Sequence, residues 1–388
     1  MDFSLGDEET AVRDTVRAFV TKEVMPIEQE ALRRERAHEP GLTRDELREL
    51  QLKAKEFGFW GLATPTEYGG MDLSAVVQSL VWTEIGRTFV QFRFGGDADN
   101  ILFHADEEQR REYLVPTIEG ERLSCFAITE PGAGSDAANI RLGARRDGDD
   151  WVLDGEKTFI TGGDVADFAI VVAVTDRDRS PRDGGATAFL VDRAMGWRSE
   201  PIQTMGEGGP AALVFEDVRV PGRNVLGEVG QGFPLGMEWI EKGRYVIPSL
   251  ALGIAERALQ MAIDYANTRE TFGRPIGANQ AIQWKIADAE TALEAARWLT
   301  LRAAWTVDQG LPSRHASSMA KLSGAAMVNR VVDDVLQIHG GMGYTRELPI
   351  ERWYRQVRLF RIFEGTDEMQ RLILSRDLLR GYTQIGLS

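Results

Sequence analysis

The order of two hydrophobic periodicities along the chain constrains its fold more than any single motif does. Residues 1–119 repeat apolar side chains at three- and four-residue spacing, which predicts helices. Residues 120–232 instead contain short β-prone runs separated by glycine and aspartate, and residues 233–388 return to the helical spacing. Because strands and helices do not alternate, the pattern disfavours a parallel sheet with crossover helices. We predict an α+β protein with an N-terminal α-helical domain, a middle β domain and a C-terminal α-helical bundle, divided at these boundaries.

Within these regions the pattern predicts individual elements. Strands are predicted at 151–153, 157–161, 168–174, 186–191 and 212–215. Long helices are predicted at 235–269, 278–309, 313–339 and 368–380. Pro248 should kink the first of these helices, because its ring removes a backbone donor and clashes with the preceding turn.

The composition is that of a globular protein, since 43% of the 388 residues are apolar and 27% are charged. The formal net charge of -15 disfavours binding to nucleic acid or to an acidic membrane surface, because both require clustered positive charge. Cys125 is the only cysteine, which leaves no intrachain disulfide and no cysteine-based metal site. The N-terminus lacks a secretory signal and no apolar stretch is expected to reach membrane-spanning length, so we expect a soluble, cytoplasmic protein.

One carboxylate near the end of the chain lies in an unusual place. Glu364 follows two apolar residues, precedes Gly365 and stands just before a predicted helix that Thr366 or Asp367 can cap. The apolar stripe of that helix consists of Met369, Leu372, Ile373 and Leu379. The amide donors of a helix N-terminus favour anionic or oxygen-rich ligand groups beside them. From these residues alone, a solvated loop glutamate remains the alternative.

A glycine-rich segment at 125–136 and four histidines are the other candidates for a functional site. The segment resembles a phosphate-binding loop, but Ala137 stands where the dinucleotide fingerprint requires glycine, and no strand–helix–strand unit follows. A tight turn explains its glycines equally well. The histidines lack the spacing of metal ligands or of a catalytic triad, so no metal site is predicted. They are His38, His104, His315 and His339.

Three separated parts of the chain together resemble the acyl-CoA dehydrogenase family of flavoenzymes. They are ITEPGAGSD at 128–136 with FIT at 159–161, RETFG at 269–273 with Gln280, and QIHGG at 337–341 with FEGT at 363–366. Their order and spacing match the family nearly end to end. The resemblance implies the same helical, β, helical organisation and an FAD-dependent oxidation of an acyl-CoA thioester to the trans-2-enoyl-CoA.

The resemblance implies that Glu364 is the catalytic base. It would remove the α proton of the thioester while a hydride passes from the β carbon to flavin N5, which requires a carboxyl whose pKa is raised by partial burial. The family stabilises the negative charge that develops on the thioester carbonyl with the amide of the base residue and a ribityl hydroxyl of FAD.

The resemblance also places residues around FAD and the substrate. On one subunit the FAD contacts would be Phe126, Ile128, Thr129, Ser135, Phe159, Thr161, Thr366 and Glu368. A second subunit would contribute Arg269, Thr271 and Phe272 at the pyrophosphate, Gln280 on the adenosine side, and Gln337 and Gly341. The substrate contacts would be Ser135, Gly365 and, at the nucleotide end, Glu241 and Arg244, with a surface helix charge as the alternative for Arg244. A shared site implies an obligate homo-oligomer, in this family usually a tetramer.

Two aromatic positions depart from the family's usual pattern. Many members carry tryptophan at the position of Phe159 and tyrosine at that of Phe363, so ring stacking is kept here but a phenol is lost. A minority place the base at the position of Gly243, where glycine cannot serve. The implied electron acceptor is an electron-transfer flavoprotein. The alternatives are a related flavoprotein that reduces an enoyl-CoA or a carrier-bound acyl group, and a non-enzymatic scaffold that keeps the fold.

Overall fold

The structure, a computed structural model, describes residues 4–37, 39–206 and 208–383. Contacts divide the chain into two compact units. The helical unit comprises Met1–Phe57, Leu73–Arg93 and Gly243–Ser388, and the sheet unit comprises Gly58–Asp72 and Phe94–Lys242. N-terminal helices, a middle β-sheet and a C-terminal helical bundle follow each other along the chain, so the predicted fold class is confirmed. The two predicted boundaries between the three domains stay a prediction.

The helices and strands are numbered along the chain. The helices are α1 Asp7–Phe19, α2 Glu28–Arg36, α3 Arg44–Glu56, α4 Ala75–Gly86, α5 Glu107–Gln109, α6 Val115–Ile118, α7 Gly232–Gly243, α8 Val246–Thr268, α9 Gln280–Asp308, α10 Arg314–His339, α11 Gly341–Tyr344, α12 Ile350–Val357 and α13 Asp367–Leu379. The strands are β1 Ser124–Ala127, β2 Gly143–Asp147, β3 Asp150–Ile160, β4 Phe168–Val174, β5 Ala186–Asp192, β6 Arg198–Pro201, β7 Ala211–Val220, β8 Val225–Leu226, β9 Glu270–Thr271 and β10 Arg274–Pro275.

The sheet unit is built on one mostly antiparallel sheet. Among the described residues its strand order is β6-β7-β3-β2-β4-β5-β8, with β1 paired in parallel to β4. Every residue of β4 is buried, and alternate side chains enter hydrophobic clusters on opposite faces of the sheet. This double coverage explains why β4 is a continuous apolar run. Cys125, on β1, is buried, and burial raises the pKa of its thiol to about 12.

The structure corrects several predicted strands. The predicted strands at 151–153 and 157–161 are one continuous strand, β3, which carries two register irregularities against β7. In the sheet unit, the strands β1, β2, β6 and β8 were not predicted. Three of them have at most four residues, and β2 is mostly polar, so none shows a sustained period-two pattern.

Close helix packing defines the core of the helical unit. A Cβ added at Gly253 of α8 would lie 1.9 Å from the carbonyl oxygen of Thr83 on α4. A Cβ added at Gly86 of α4 would lie 2.4 Å from the carbonyl oxygen of Leu250 on α8. Reciprocal glycines therefore let the two backbones approach closely. The helix α8 also packs against α9 and α10, which gives the expected C-terminal bundle.

The predicted helix 235–269 is interrupted, but not by a kink at Pro248. It consists of α7 and α8, and Arg244 and Tyr245 form the turn that separates them. Pro248 lies in the first turn of α8, where the backbone N–H groups have no intrahelical acceptor, so its missing donor disturbs no hydrogen bond. The expected kink at Pro248 is therefore wrong, and the break places Arg244 in a turn.

The prediction that no apolar stretch reaches membrane-spanning length is wrong for one run of the chain. The helical run Gly232–Thr268 has the length and apolar composition of such a span, with a mean hydropathy of 1.3 over its best window. The protein buries 61% of that window, as a core helix of a soluble protein does, so the run is weak evidence for a membrane span.

Candidate active site

The turn before α13 has the form that the sequence predicts. Thr366 is the N-cap of α13, and its Oγ1 accepts a hydrogen bond from the amide of Met369 at 3.3 Å. Glu364 and Gly365 precede it with φ angles of +52° and +82°. The left-handed region is unfavourable for glutamate, with a cost of about 1 kcal/mol or more, and such strain concentrates at functional sites. The predicted apolar stripe of α13 is only partly buried, since Ile373 is buried and Leu372 and Leu379 are exposed.

Two buried side chains hold this strained turn from the protein interior. The Lys321 ammonium on α10 donates to the carbonyl oxygen of Gly365 at 2.7 Å. The Gln370 amide on α13 donates to the carbonyl oxygens of Glu364 at 3.1 Å and of Gly365 at 3.0 Å. The φ of +82° favours glycine at position 365, and a Cβ added there would also lie 2.8 Å from Nε2 of Gln370 and displace that side chain. These contacts hold the peptide planes on both sides of Gly365, immediately after the glutamate.

The Glu364 carboxyl group is desolvated but not neutralised by a direct partner. Its Oε2 atom is buried and has no hydrogen-bond partner among the described residues. Burial raises the pKa of Glu364 to about 7, and the positive charges of Arg244 and Lys321 partly oppose that rise. A carboxyl with this pKa is close to evenly divided between acid and base at neutral pH, which suits a general base.

Arg244 lies closer to this carboxyl than the sequence suggests. It is buried in the turn between α7 and α8, so the alternative of a surface helix charge is wrong. Its charge lowers the pKa of Glu364, which makes it part of the electrostatic surroundings of the base. Glu241, its predicted companion at the nucleotide end, is exposed on α7. The assignment of either residue to the nucleotide end stays a prediction.

In the sheet unit, a buried ion pair supports the predicted flavin-binding segment. Lys157 on β3 donates to Oε1 of Glu130 at 2.8 Å and to the carbonyl oxygen of Ile128 at 3.0 Å. Glu130 also accepts hydrogen bonds from the amides of Arg141 and Leu142, at 2.6 and 2.9 Å. The amide of Thr158 donates to the carbonyl oxygen of Thr129 at 2.9 Å. These bonds fix residues 128–130 beside the end of β3.

The aromatic side chain at this end of β3 is held in an unusual conformation. Phe159 has a φ angle of +57°, lies at a register irregularity of β3 and is 62% exposed. The hydroxyl-bearing residues Ser135 and Thr161 are also exposed, and Thr129 is half-buried. An exposed ring on a strained backbone, close in sequence to hydroxyl donors, fits an isoalloxazine ring, which offers a π face and hydrogen-bonding atoms at its edge. Phe126, in contrast, is buried on β1 and stacks on Trp239 with 4.5 Å between ring centroids.

The residues assigned to a second subunit lie on the surface of the helical unit. Strands β9 and β10 form a hairpin whose loop has two residues, Phe272 and Gly273. Their φ angles of +53° and +76° follow the pattern of a type I′ turn. Phe272 is fully exposed at its tip. Arg269 and Gln280 are exposed on either side of the hairpin. Of the other three predicted residues, Thr271 on β9 is half-buried, and Gln337 and Gly341 are exposed near the end of α10.

Three residues of these networks were missed from the sequence: Lys157, Lys321 and Gln370. A signal for Lys321 was available, because it shares the buried face of α10 with Ser317, Gly324 and Val328 at helical spacing. A lysine at such a position is unusual enough to mark a functional candidate. Within the described residues no three His, Cys, Asp or Glu side chains are grouped as a metal site would require.

Family models match the chain along most of its length. The N-terminal domain model of the acyl-CoA dehydrogenases matches residues 6–121, the middle domain model matches residues 125–218 and the C-terminal domain model matches residues 230–379. The chain belongs to the acyl-CoA dehydrogenase family. The resemblance seen in the three sequence segments is thereby confirmed.

Individual acyl-CoA dehydrogenase relatives and structures agree with this membership. A 3-(aryl)acrylate reductase of Clostridium sporogenes is 37% identical over 96% of this chain and 99% of its own. A mitochondrial short-chain specific acyl-CoA dehydrogenase of Mus musculus is 37% identical over 97% of this chain and 92% of its own. A chain in a structure of the electron transferring flavoprotein of Acidaminococcus fermentans superposes with a TM-score of 0.85 and is 36% identical, over 98% of this chain and 100% of that chain.

Family membership confirms two predictions at the level of the family. This acyl-CoA dehydrogenase is an oxidoreductase of the type that acts on the CH–CH bond of an acyl-CoA. FAD is the cofactor on which the family depends, so the prediction of a flavoprotein is confirmed. The comparisons assign no role to individual residues, so the roles of the site residues stay predictions.

Proposed function

We propose that the protein oxidises an acyl-CoA thioester to the trans-2-enoyl-CoA, with Glu364 as the base that removes the α proton. The observation that carries the proposal is the state of Glu364: a buried carboxyl oxygen, a pKa raised to about 7 and a left-handed backbone held by two side chains. Each of these features costs stability in a loop, and a solvated surface glutamate would have none of them. These features therefore argue against the alternative of a solvated loop glutamate.

The residues of this chain prepare the base in three ways. Burial raises the affinity of the Glu364 carboxylate for the α proton, because the charged form is poorly solvated. Arg244 and Lys321 keep part of the carboxyl population ionised, so that the base is present at neutral pH. The hydrogen bonds to the carbonyl oxygens of Glu364 and Gly365 hold the turn that begins at Glu364, the residue whose N–H would stabilise the thioester oxyanion.

FAD, when bound, accepts as hydride the hydrogen that leaves the β carbon together with its electron pair. In the sheet unit, Phe159 offers an exposed ring to the flavin, and Thr129, Ser135 and Thr161 offer hydroxyl groups. The bonds from Lys157 keep the segment that carries Thr129 in place. In the helical unit, Thr366 and Glu368 begin α13, where the N-terminal amides favour oxygen-rich groups.

The proposal is tested by anaerobic mixing of the FAD-loaded protein with saturated acyl-CoAs, starting at butyryl-CoA because several relatives are specific for short chains. Loss of the oxidised flavin absorbance and formation of the enoyl-CoA are the expected results. The variant Glu364→Gln should retain FAD and lose a factor of roughly 100 or more in the rate of bleaching. Glu121→Gln, an exposed loop carboxylate, is the matched control. If no acyl-CoA bleaches the flavin, the proposal fails.

A second candidate function is the reductive direction on an activated acrylate or enoyl group. It is favoured by one observation, the 37% identity to a 3-(aryl)acrylate reductase. The same glutamate would then act as an acid and protonate the α carbon, while hydride enters at the β carbon. The two directions are separated by comparing flavin bleaching by saturated acyl-CoAs with reoxidation of the reduced flavin by the corresponding enoyl compounds.

We propose further that the active form is a homo-oligomer, with a tetramer as the expected state. Large apolar side chains are exposed on the helical unit, including Phe272 at the hairpin tip and three tryptophans of α9. The tryptophans, Trp284, Trp298 and Trp305, are separated by multiples of seven residues, which places them along one face of the helix. An apolar stripe of this kind marks an interaction surface. Light scattering should give about four times the 43.2 kDa chain mass, and Trp298→Glu should reduce it.

We propose an electron-transfer flavoprotein as the electron acceptor of the reduced enzyme. The support is the 36% identity to a chain in a structure of an electron transferring flavoprotein. The protein reduced by its substrate should transfer electrons to an added electron-transfer flavoprotein faster than to dissolved oxygen. The absorbance change of the acceptor flavin measures the transfer, and equal rates with oxygen would contradict the proposal.

A further inference from the structure

Lys321 is a buried cation whose task the sequence motifs do not explain. It lies in the middle of α10, and none of its surface is exposed to solvent. Its Nζ atom donates to the carbonyl oxygen of Gly365 at 2.7 Å, and no carboxylate of the described residues forms an ion pair with it. Burial of an ammonium group without a direct counter-ion is costly, so an apolar side chain at this position would stabilise the fold more. The charge is therefore expected to serve the turn that it contacts.

The contact of Lys321 acts on the turn that follows the base, at the peptide between Gly365 and Thr366. Gly365 O accepts from Lys321 on one element and from Gln370 on another, and Gln370 also holds Glu364 O. Two donors from two helices fix the orientation of this peptide more tightly than one. These contacts support the turn in which Glu364 has its left-handed φ. Loss of the lysine would leave Gln370 alone to hold the strained turn.

The charge of Lys321 also acts on the proton affinity of the base. The charged groups that face the ammonium are Asp367, Glu364 and Glu368, which raise its pKa, and Arg244, which lowers it. Burial outweighs them and lowers the pKa of Lys321 to about 8. The lysine is therefore still protonated when Glu364 titrates near pH 7, and its field favours the carboxylate at that pH.

We propose that Lys321 is a positioning residue of this site: its hydrogen bond to the carbonyl oxygen of Gly365 holds the turn that follows Glu364, and its buried charge favours the carboxylate form of that base. Its effect on the rate rests on the proposed function of Glu364. Its effect on the carboxyl group does not, because the titration of Glu364 can be observed without any substrate.

The experiment compares Lys321→Met, which removes charge and donor, with Lys321→Gln, which keeps an amide donor and removes the charge. Lys55→Met, an exposed lysine on α3, is the matched control. In FAD-loaded protein, the infrared band of the protonated Glu364 carboxyl is assigned by its absence in Glu364→Gln. Its disappearance is then followed as the pH rises. The wild-type midpoint should lie near pH 7, and both Lys321 variants should move it upward by roughly one unit.

A kinetic arm separates the two effects of the lysine. At a pH above the shifted midpoint, Lys321→Gln should recover most of the flavin-bleaching rate, whereas Lys321→Met should stay roughly tenfold slower because the turn is less well held. Unchanged infrared midpoints in two variants that retain FAD overturn the proposal. If the midpoints move but no acyl-CoA is oxidised by the wild type, the role of Lys321 stands and the proposed function fails.

Discussion

The desolvation of Glu364 should make the protein less stable at alkaline pH, and Glu364→Gln should remove that loss. The pKa of the carboxyl is raised from an ordinary 4.5 to about 7, so the native state binds its proton more tightly than the unfolded state. The stability contributed by this group is fully present below pH 4.5 and is lost as pH rises through 7. One pKa unit corresponds to about 1.4 kcal/mol, which makes the full loss about 3 kcal/mol.

Glutamine is nearly isosteric and uncharged, so the variant should gain on the wild type by about 3 kcal/mol near pH 8.5 and by almost nothing near pH 4.5. Urea unfolding of the two FAD-loaded proteins, followed by helical circular dichroism, measures the difference at both pH values. Glu121→Gln, at an exposed site, should show no such trend. A stability difference that is the same at both pH values would refute the claim that Glu364 is buried as a charged group.

Three other substitutions test separate contacts. Lys157→Met leaves Glu130 buried without its cation, so it should destabilise the sheet unit by about 3–5 kcal/mol and release FAD on gel filtration. Gly365→Ala adds a Cβ 2.8 Å from the Gln370 amide at a φ of +82°, and stopped-flow bleaching should slow roughly tenfold while the flavin content stays unchanged. Phe159→Gly relieves the strained φ of +57° but removes the ring, so FAD affinity measured by fluorescence titration should fall roughly tenfold; Phe159→Trp should retain it.

The fold class could be predicted because its signals are long. The runs that became α9 and α10 repeat their pattern over more than twenty residues, and β4 is a continuous apolar run. The short strands β1 and β8 pair with β4 and β5, which lie far from them in sequence, and no local pattern reports such pairing. The prediction of a kink at Pro248 failed for a different reason. A proline marks either a kink or the first turn of a helix, and the sequence does not distinguish the two.

For the candidate site, the sequence indicated which residues to consider but not the contacts that hold them. The sequence around Glu364 predicted a carboxylate just before a helix N-terminus, and Thr366 is the N-cap of that helix, as expected. The positive φ angles of Glu364 and Phe159 depend on tertiary contacts that hold an unfavourable backbone, so no propensity reveals them. The lysine beneath the turn was visible in the pattern of α10, but only the fold shows that it reaches Gly365.

The exposure of apolar residues on the helical unit could not be predicted from the sequence either. Leu372 and Leu379 fit the stripe of a helix that packs inward, yet they are exposed in the single chain. Phe272 is exposed in full at a strained hairpin tip. A periodic pattern reports that a surface is apolar but not whether the same chain or a second one covers it. The residues that the family resemblance assigns to a second subunit lie in this same unit.

The most direct test of the account is the rate of flavin bleaching by an acyl-CoA substrate, measured against pH for wild type and Glu364→Gln. The wild-type rate should rise with pH through a single ionisation near 7 and level off above it, because only the carboxylate form of Glu364 accepts the α proton. The variant should bind FAD and stay slow by a factor of roughly 100 or more at every pH. A variant that bleaches at the wild-type rate, or with the same pH dependence, would contradict the claim that Glu364 is the base.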